Sequence, residues 1–513
     1  MTGPEPRAAG LDLRLVPAAL TSWAVTAIGI VCPPWSSALA VVAAAVATAA
    51  VAWWVRRHAP ASVPAGWPGV AAVVTVGVAF AISVGLRVHD NSQHPIVTRY
   101  GSTASVVVSP TESPRLLGGS RLVFRGSLQA LDGAESSGRV VVFATVVGYD
   151  ELTAGRPVTF RARIGRPTRA DLTVALLSAT GQPTLGRAPG WQRVAARVRA
   201  EFADAARAVL PADQAAMLPA LVLGDTSALP PQTDSEFRSA GLTHLTAVSG
   251  ANVTIVCGAV LLTAAVIGPR AAAAAAAVAL VAFVAVVQPS ASVLRAAVMG
   301  AITLFAIVSR RRRQAVPALS ASVIALMIVA PELAVDLGFA LSVAATAGLV
   351  VAAPVWSRRL VARGWPKLLA DAVVVAFVAQ LVTAPIIAGM SGTFSVVSVV
   401  ANLAVAVVIP PITVIGTVAA TLSTLWPAAT RLLVRFTGPE LWWLLRVAHW
   451  TSAVPGASVP VPSGVAGVGC LAAAGIAAVI LWRWRWGRAG VSVVLLGLLA
   501  WSAGQGVSPV GPS

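Results

Sequence analysis

A chain of 513 residues that is 57% apolar and only 11% charged carries more hydrophobic surface than a water-soluble fold of that length can hide, so the bilayer must be its solvent. Basic residues outnumber acidic ones by 37 to 19, yet Lys367 is the only lysine, so part of the arginine excess reflects codon bias alongside the abundant alanine. Three scattered cysteines, five histidines with no His-x-His pair and no Gly-x-x-x-x-Gly-Lys give no ground for a disulfide framework, a metal centre, a cofactor or a Walker-type ATP site.

Residues 1–98 read as N-terminal membrane helices, with apolar segments near 15–32, 37–55 and 68–86. The first follows Arg7 and Arg14 and is expected to be retained rather than cleaved. The cluster Arg56-Arg57-His58 assigns its loop to the cytoplasm by the positive-inside rule. The N-terminus is then cytoplasmic, and residues from about 87 to 244 are expected outside the membrane.

Within 99–187, five alternating runs predict a small extracytoplasmic β-barrel: Ala104–Ser109, Arg121–Leu131, Arg139–Val147, Pro157–Ile164 and Asp171–Ser178. The period of two sends Leu122, Phe124, Phe160, Ala162 and Ile164 inward and leaves Arg121, Arg125, Arg161 and Arg163 outside. That basic side reads either as an ordinary solvated face or as a contact surface for nucleic acid. Stacking aromatics are scarce there, because Phe124 and Phe160 fall on the buried side. In 188–244 the period turns helical, with Trp191, Val194, Val198, Phe202 and Val209 on one stripe, predicting an amphipathic interfacial helix before a polar entrance segment.

Residues 245–513 return to apolar segments near 245–267, 271–288, 291–309, 315–330, 333–353, 369–388 and 395–425, and again near 464–482 and 489–503. Arg270, the run Arg310 to Arg313, and Arg358, Arg359, Arg363 and Lys367 fall on the cytoplasmic side at every second crossing. Pro410-Pro411 can split the 395–425 segment, and Arg431, Arg435 and Arg446 fit neither option; Trp482-Arg-Trp-Arg-Trp486 reads as an interfacial belt. The expected fold is therefore a polytopic all-α membrane protein of about ten to twelve transmembrane helices with an inserted OB-like barrel. Its 16 basic against 4 acidic residues beyond 245 reflect cytoplasmic loops, or a path for a polyanion.

Polar groups are costly in hydrocarbon unless they face protein or water, so their clustering between Asp225 and Asn252 marks a lined cavity or a capped helix entrance. The candidates are Asp225, Glu236, Arg238, His244, Ser249 and Asn252, the last two sharing a helix face. Arg295 and Asp336 fall at similar depth in different spans, where they can pair or line a path. Gln380 near Pro385 and Asn402 before Pro410-Pro411 mark interrupted helices of the kind transport sites use, or interhelical hydrogen bonds. A serine hydrolase with Ser249 as nucleophile, His244 as base and Asp225 or Asp234 as orienting acid is disfavoured. A separation of five residues turns Ser249 and His244 roughly 140° apart on a helix, and no Gly-x-Ser-x-Gly elbow is present.

The ordered run Gly224-Asp225, Gly241-Leu-Thr-His-Leu245 and Val248-Ser-Gly250 resembles the hallmark of the ComEC competence channel family. Pro289 to Met299, Asp336 to Ser342, Thr383-Ala-Pro385, Asn402 and Pro410-Pro411 are similar to the same family, so the likeness covers roughly residues 215–430. The resemblance implies a cell-membrane channel for uptake of single-stranded DNA during natural transformation, not an enzyme, served by a separate cytoplasmic ATPase motor and an outer DNA-binding protein. Many relatives carry His where this chain has Asn252, and larger ones continue into a metallo-β-lactamase-like domain for which this sequence holds no ligands. The same fold could instead carry another substrate, such as a lipid or cell-wall precursor. Oligomeric state is left open.

Overall fold

The computed structural model describes residues 12–32, 67–112, 114–118, 120–149, 152–246, 250–287, 291–308 and 314–481. The expected span at 37–55, the Arg56-Arg57-His58 cluster, the Arg310–Arg313 run, Ser249, the Trp482–Trp486 belt and the expected 489–503 span lie outside those residues. The chain forms two units, one of Met1–Ala196 with Ala259–Phe339 and one of Arg197–Gly258 with Ala340–Ser513.

In the first unit, α1 (Val16–Val31) packs against α2 (Trp67–Ser92), and small residues let their backbones approach. A Cβ on Gly29 would lie 2.5 Å from Val84 Cγ1, and one on Gly77 3.1 Å from Thr21 Cγ2. The buried hydroxyls of Ser22 and Thr26 bond back to carbonyls three and four residues earlier, which satisfies both within the apolar helix.

The barrel follows: β1 (Thr103–Pro110), β2 (Arg115–Gly118), β3 (Arg121–Leu131), β4 (Ala134–Thr145), β5 (Val158–Gly165) and β6 (Thr173–Leu185). The sheet order is β1-β5-β6-β4-β3-β2, and a further β1–β3 pairing closes five strands into a barrel with β2 as an outer flap. The alternating residues Leu122, Phe124, Phe160, Ala162 and Ile164 are all buried inside it. Strand β4 starts earlier than the sequence suggests because Asp132 and Gly133 both take positive φ, 48° and 84°, in a tight hairpin that extends the pairing.

Tyr149 is buried in that core, edge-on to Phe160 at 5.8 Å between centroids, with no hydrogen-bond partner for its hydroxyl among the described residues. Burial alone pushes its pKa up to about 12. A raised folded-state pKa stabilises the barrel below pH 10 and loses that contribution as pH rises from 10 to 12. The chain has only two tyrosines, Tyr100 and Tyr149, so tyrosinate absorbance is expected to resolve a late step near pH 12 in the folded protein. A single step near 10 for both would contradict this core.

Beyond the barrel, the first unit contains α8 (Pro269–Val287), α9 (Ala291–Val308) and α10 (Ala315–Val329), then a short 3-10 turn at Pro331–Val335 that receives a hydrogen bond from Trp23 Nε1 to Ala334 O. The division between the units falls within the sequences of α3 (Gly190–Val209), α7 (Gly250–Ala264) and α11 (Leu337–Val351). The stripe expected along α3 divides: Phe202 is buried, whereas Trp191 and Val194 are exposed.

The second unit is built from α4 (Ala212–Leu223), α5 (Pro231–Ser239), α6 (Thr243–Thr246), α12 (Ala353–Val361), α13 (Lys367–Ser391), α14 (Ser398–Val405), α15 (Ile409–Leu422), α16 (Pro427–Phe436), α17 (Gly438–Ser452) and α18 (Gly464–Leu481). A small hairpin joins β7 (Thr393–Ser395) to β8 (Ser458–Pro460). Helix α4 is an apolar core element, with Met217, Leu218 and Val222 fully buried, so the 188–244 stretch is more than an interfacial helix and a polar segment. Its last turn packs against α15, where Gly416 leaves room for Val222.

Among the described residues, four helices are long and apolar enough to cross a membrane, or five if the pair α14 and α15 counts as one span. That pair is bent by 54° at a break before Pro410-Pro411, where a proline cannot donate to the helical ladder. Six further apolar helices are shorter.

Candidate functional site

The stretch singled out by its polarity leads into a turn and a helix start. Gly241 takes φ +72°, a left-handed conformation that ends α5 and lets Leu242 donate to Phe237 O. Leu242 is fully buried and anchors α6, which presents His244 and Leu245 to a cavity of about 140 Å³. Leu221, Asn252, Ile409, Ile412 and Thr413 complete the lining. Two features read separately in the sequence, the entrance motif and the Pro410-Pro411 break, therefore meet at one cavity.

Asn252 is buried, and its Nδ2 donates to Leu221 O at 3.0 Å. That carbonyl lies in the last turn of α4, where helical acceptors lack intrahelical donors, so the side chain caps α4 while fixing the start of α7. His244 is exposed and borders the cavity. Desolvation holds its imidazole below the ordinary histidine pKa, partly offset by a hydrogen bond to the Gly241 backbone.

The other candidates take positions around this cavity or away from it. Asp225 accepts from the backbone and hydroxyl of Ser227 at 3.1 and 2.6 Å and lies near Arg199, which is partly desolvated. Arg238 pairs with Asp234 one turn away at 2.8 Å. Neither Asp225 nor Asp234 bonds or pairs with His244 among the described residues. Glu236 accepts from Gln232 and meets His449 Nδ1 of α17 at 3.1 Å.

Gln380 and Asn402 fall in one polar network. Ser398 Oγ donates to Gln380 Oε1 at 2.9 Å, Asn402 Nδ2 reaches Ser398 O and Oγ, and Gln380 Nε2 donates to Ser395 O. Ser395 Oγ in turn donates to Ser239 O at 2.8 Å, tying this network to the turn that carries His244.

Arg295 and Asp336, expected at one depth, do not make a pair. Asp336 Oδ1 caps α11 by accepting from Phe339 N at 2.8 Å, and its Oδ2 lies 4.0 Å from Arg125 of the barrel. Arg295 is buried on α9 with Nη1 3.0 Å from Met299 Sδ. Arg139, which the sequence reading passed over, pairs with Glu332 beside the same turn. The barrel is therefore held to the 331–336 segment by two arginines.

Arg121, Arg125, Arg161 and Arg163 all face outward and are exposed. They form two pairs rather than one patch, on β3 and on β5. The registers align Val123, Phe143, Ser178 and Arg163 across β3, β4, β6 and β5, so half-buried Phe143 stands on the outer surface between the pairs. It is the outward aromatic that sequence reasoning missed, because Val140 to Ala144 is a continuous apolar run in which neither parity stands out.

Fold and site together define a helical protein suited to a membrane, with a five-strand barrel inserted between its helices and a small cavity at a broken helix. A family model described as Competence protein matches residues 221–486, more than half of the chain, which belongs to this family of ComEC-type competence proteins. No curated protein and no solved structure matches the chain.

Proposed function

We propose that the chain is a cell-membrane channel that passes single-stranded DNA inward during natural transformation, with residues 87–244 on the outer side. The observation that carries this reading is the meeting of His244 and Asn252 with Ile409, Ile412 and Thr413 at the break before Pro410-Pro411. A cavity of about 140 Å³ is smaller than the roughly 300–1,000 Å³ of ordinary small-molecule sites, and in this reading it is a narrow point that a passing strand widens. The bent pair α14–α15 supplies a hinge for that widening.

The barrel is the receiving surface. Five strands closed with β4 and β6 parallel and the rest antiparallel support an OB-like assignment. Phe143 offers a stacking face, and the flanking arginines offer phosphate contacts. No catalytic step is assigned to the chain; a separate ATPase drives transport, and an outer DNA-binding protein delivers the strand.

The test is uptake of labelled DNA into a nuclease-protected cytoplasmic pool in a transformable host deleted for this chain. Complementation by wild type is expected to restore uptake, while His244→Ala/Asn252→Ala protein at equal membrane abundance leaves it at least about tenfold lower. Full uptake by the double variant would remove the constriction from the mechanism. Unchanged uptake after deletion would favour a lipid or cell-wall precursor as substrate.

A further inference from the structure

Arg431, Arg435 and Arg446, which fit no cytoplasmic loop, are accounted for by the shape of the 425–450 region. Helix α16 has ten residues and is about 15 Å long, half of the roughly 30 Å hydrocarbon thickness, so it cannot span. One side is buried through Thr430 and Val434, with Thr430 Oγ1 3.3 Å from Ala419 O of α15. The remaining surface is divided by the helical period. Arg431 and Arg435 share one flank, Leu432 and Phe436 the next, and all four are exposed, the apolar pair at 58% and 62%.

Leu425 and Trp426 continue the exposed apolar ridge ahead of the helix, and on α17 the Arg446 guanidinium lies 5.6 Å from the ring centre of exposed Trp442. Neither Arg431 nor Arg435 is paired with a carboxylate among the described residues. A second copy docked here would bring four arginines together without a counter-charge. A bilayer surface supplies both missing partners at once, acyl chains for the ridge and phosphates for the guanidinium groups.

We propose that α16 lies in the plane of the membrane surface, and that Arg431 and Arg435 bind headgroups of anionic phospholipids while Leu432 and Phe436 enter the acyl layer beside them. Each basic residue near an anionic surface contributes about fivefold in affinity. The full-length protein, titrated in detergent with phosphatidylglycerol and phosphatidylcholine and read by native mass spectrometry, is expected to prefer the anionic lipid by at least about fivefold. Arg431→Gln/Arg435→Gln is expected to bring that preference below about twofold, and Arg431→Lys/Arg435→Lys to keep most of it. A Gln variant with undiminished preference overturns the proposal, as does a Lys variant as deficient as the Gln one. Inorganic phosphate and a short single-stranded oligonucleotide are the competitors. Displacement of the lipid by either, lost in the Gln variant, would make the arginines a general anion or DNA site and overturn the lipid assignment.

Discussion

Gly241→Val is expected to leave little protein in the membrane and no measurable DNA uptake. Gly241 sits at φ +72°, where an L-residue costs about 1–2 kcal/mol and a β-branched one more. The added Cβ would lie 2.5 Å from Ser398 Oγ and 2.6 Å from Ser398 Cβ, too close for any side chain. Ser398 cannot simply turn aside, because it donates to Gln380 and receives Asn402. Moving it strands part-buried polar groups at about 1–3 kcal/mol each. The combined cost approaches the 5–15 kcal/mol that separates folded from unfolded states in ordinary domains. Gly241→Ala/Ser398→Gly removes the clash but keeps the backbone strain, and is expected to recover part of the abundance seen by immunoblot of washed membranes. Wild-type abundance and uptake in the valine variant would show that the turn and its network do not position His244.

The barrel was largely legible in the sequence because its strands bury one face only. Alternation in Arg121-Leu-Val-Phe-Arg125 and Thr159-Phe-Arg-Ala-Arg-Ile164 states which side is core, and a period of two leaves no freedom in register. Strand β2 was not legible, since Arg-Leu-Leu-Gly shows no alternation and its two leucines are exposed. For the helices, a charge rule yields depth but not rotation about the axis or the neighbour that is met. That is why Arg295 and Asp336 look like partners in sequence while Asp336 turns to Phe339 N and Arg125. The cavity depends on Leu221 and Asn252, 31 residues apart, and on Thr413, far beyond both. Each polar stretch was visible alone, but their meeting is a property of packing.

Phe124→Ala is expected to unfold the barrel selectively, and its effect separates the barrel's stability from its contacts with DNA. Phe124 is completely buried between facing strands, and removing a buried phenylalanine costs about 3–5 kcal/mol through lost burial and the cavity left behind. Exposed Arg161 and Arg163 have no such role; their replacement by Gln is expected to change stability by no more than about 0.5 kcal/mol. Tyr149 reports the difference, because only an intact core keeps its hydroxyl protonated to about pH 12. In purified full-length protein, Phe124→Ala is expected to move the late tyrosinate step down towards 10 and to open the barrel to trypsin. Arg161→Gln/Arg163→Gln is expected to preserve both while weakening and flattening the salt dependence of single-strand binding. If the alanine variant keeps the late step, this core does not hold the barrel together. If the arginine variant binds DNA as wild type does, the strand is received elsewhere, and the half-buried Phe143 between the two arginine pairs is an ordinary solvated sheet residue.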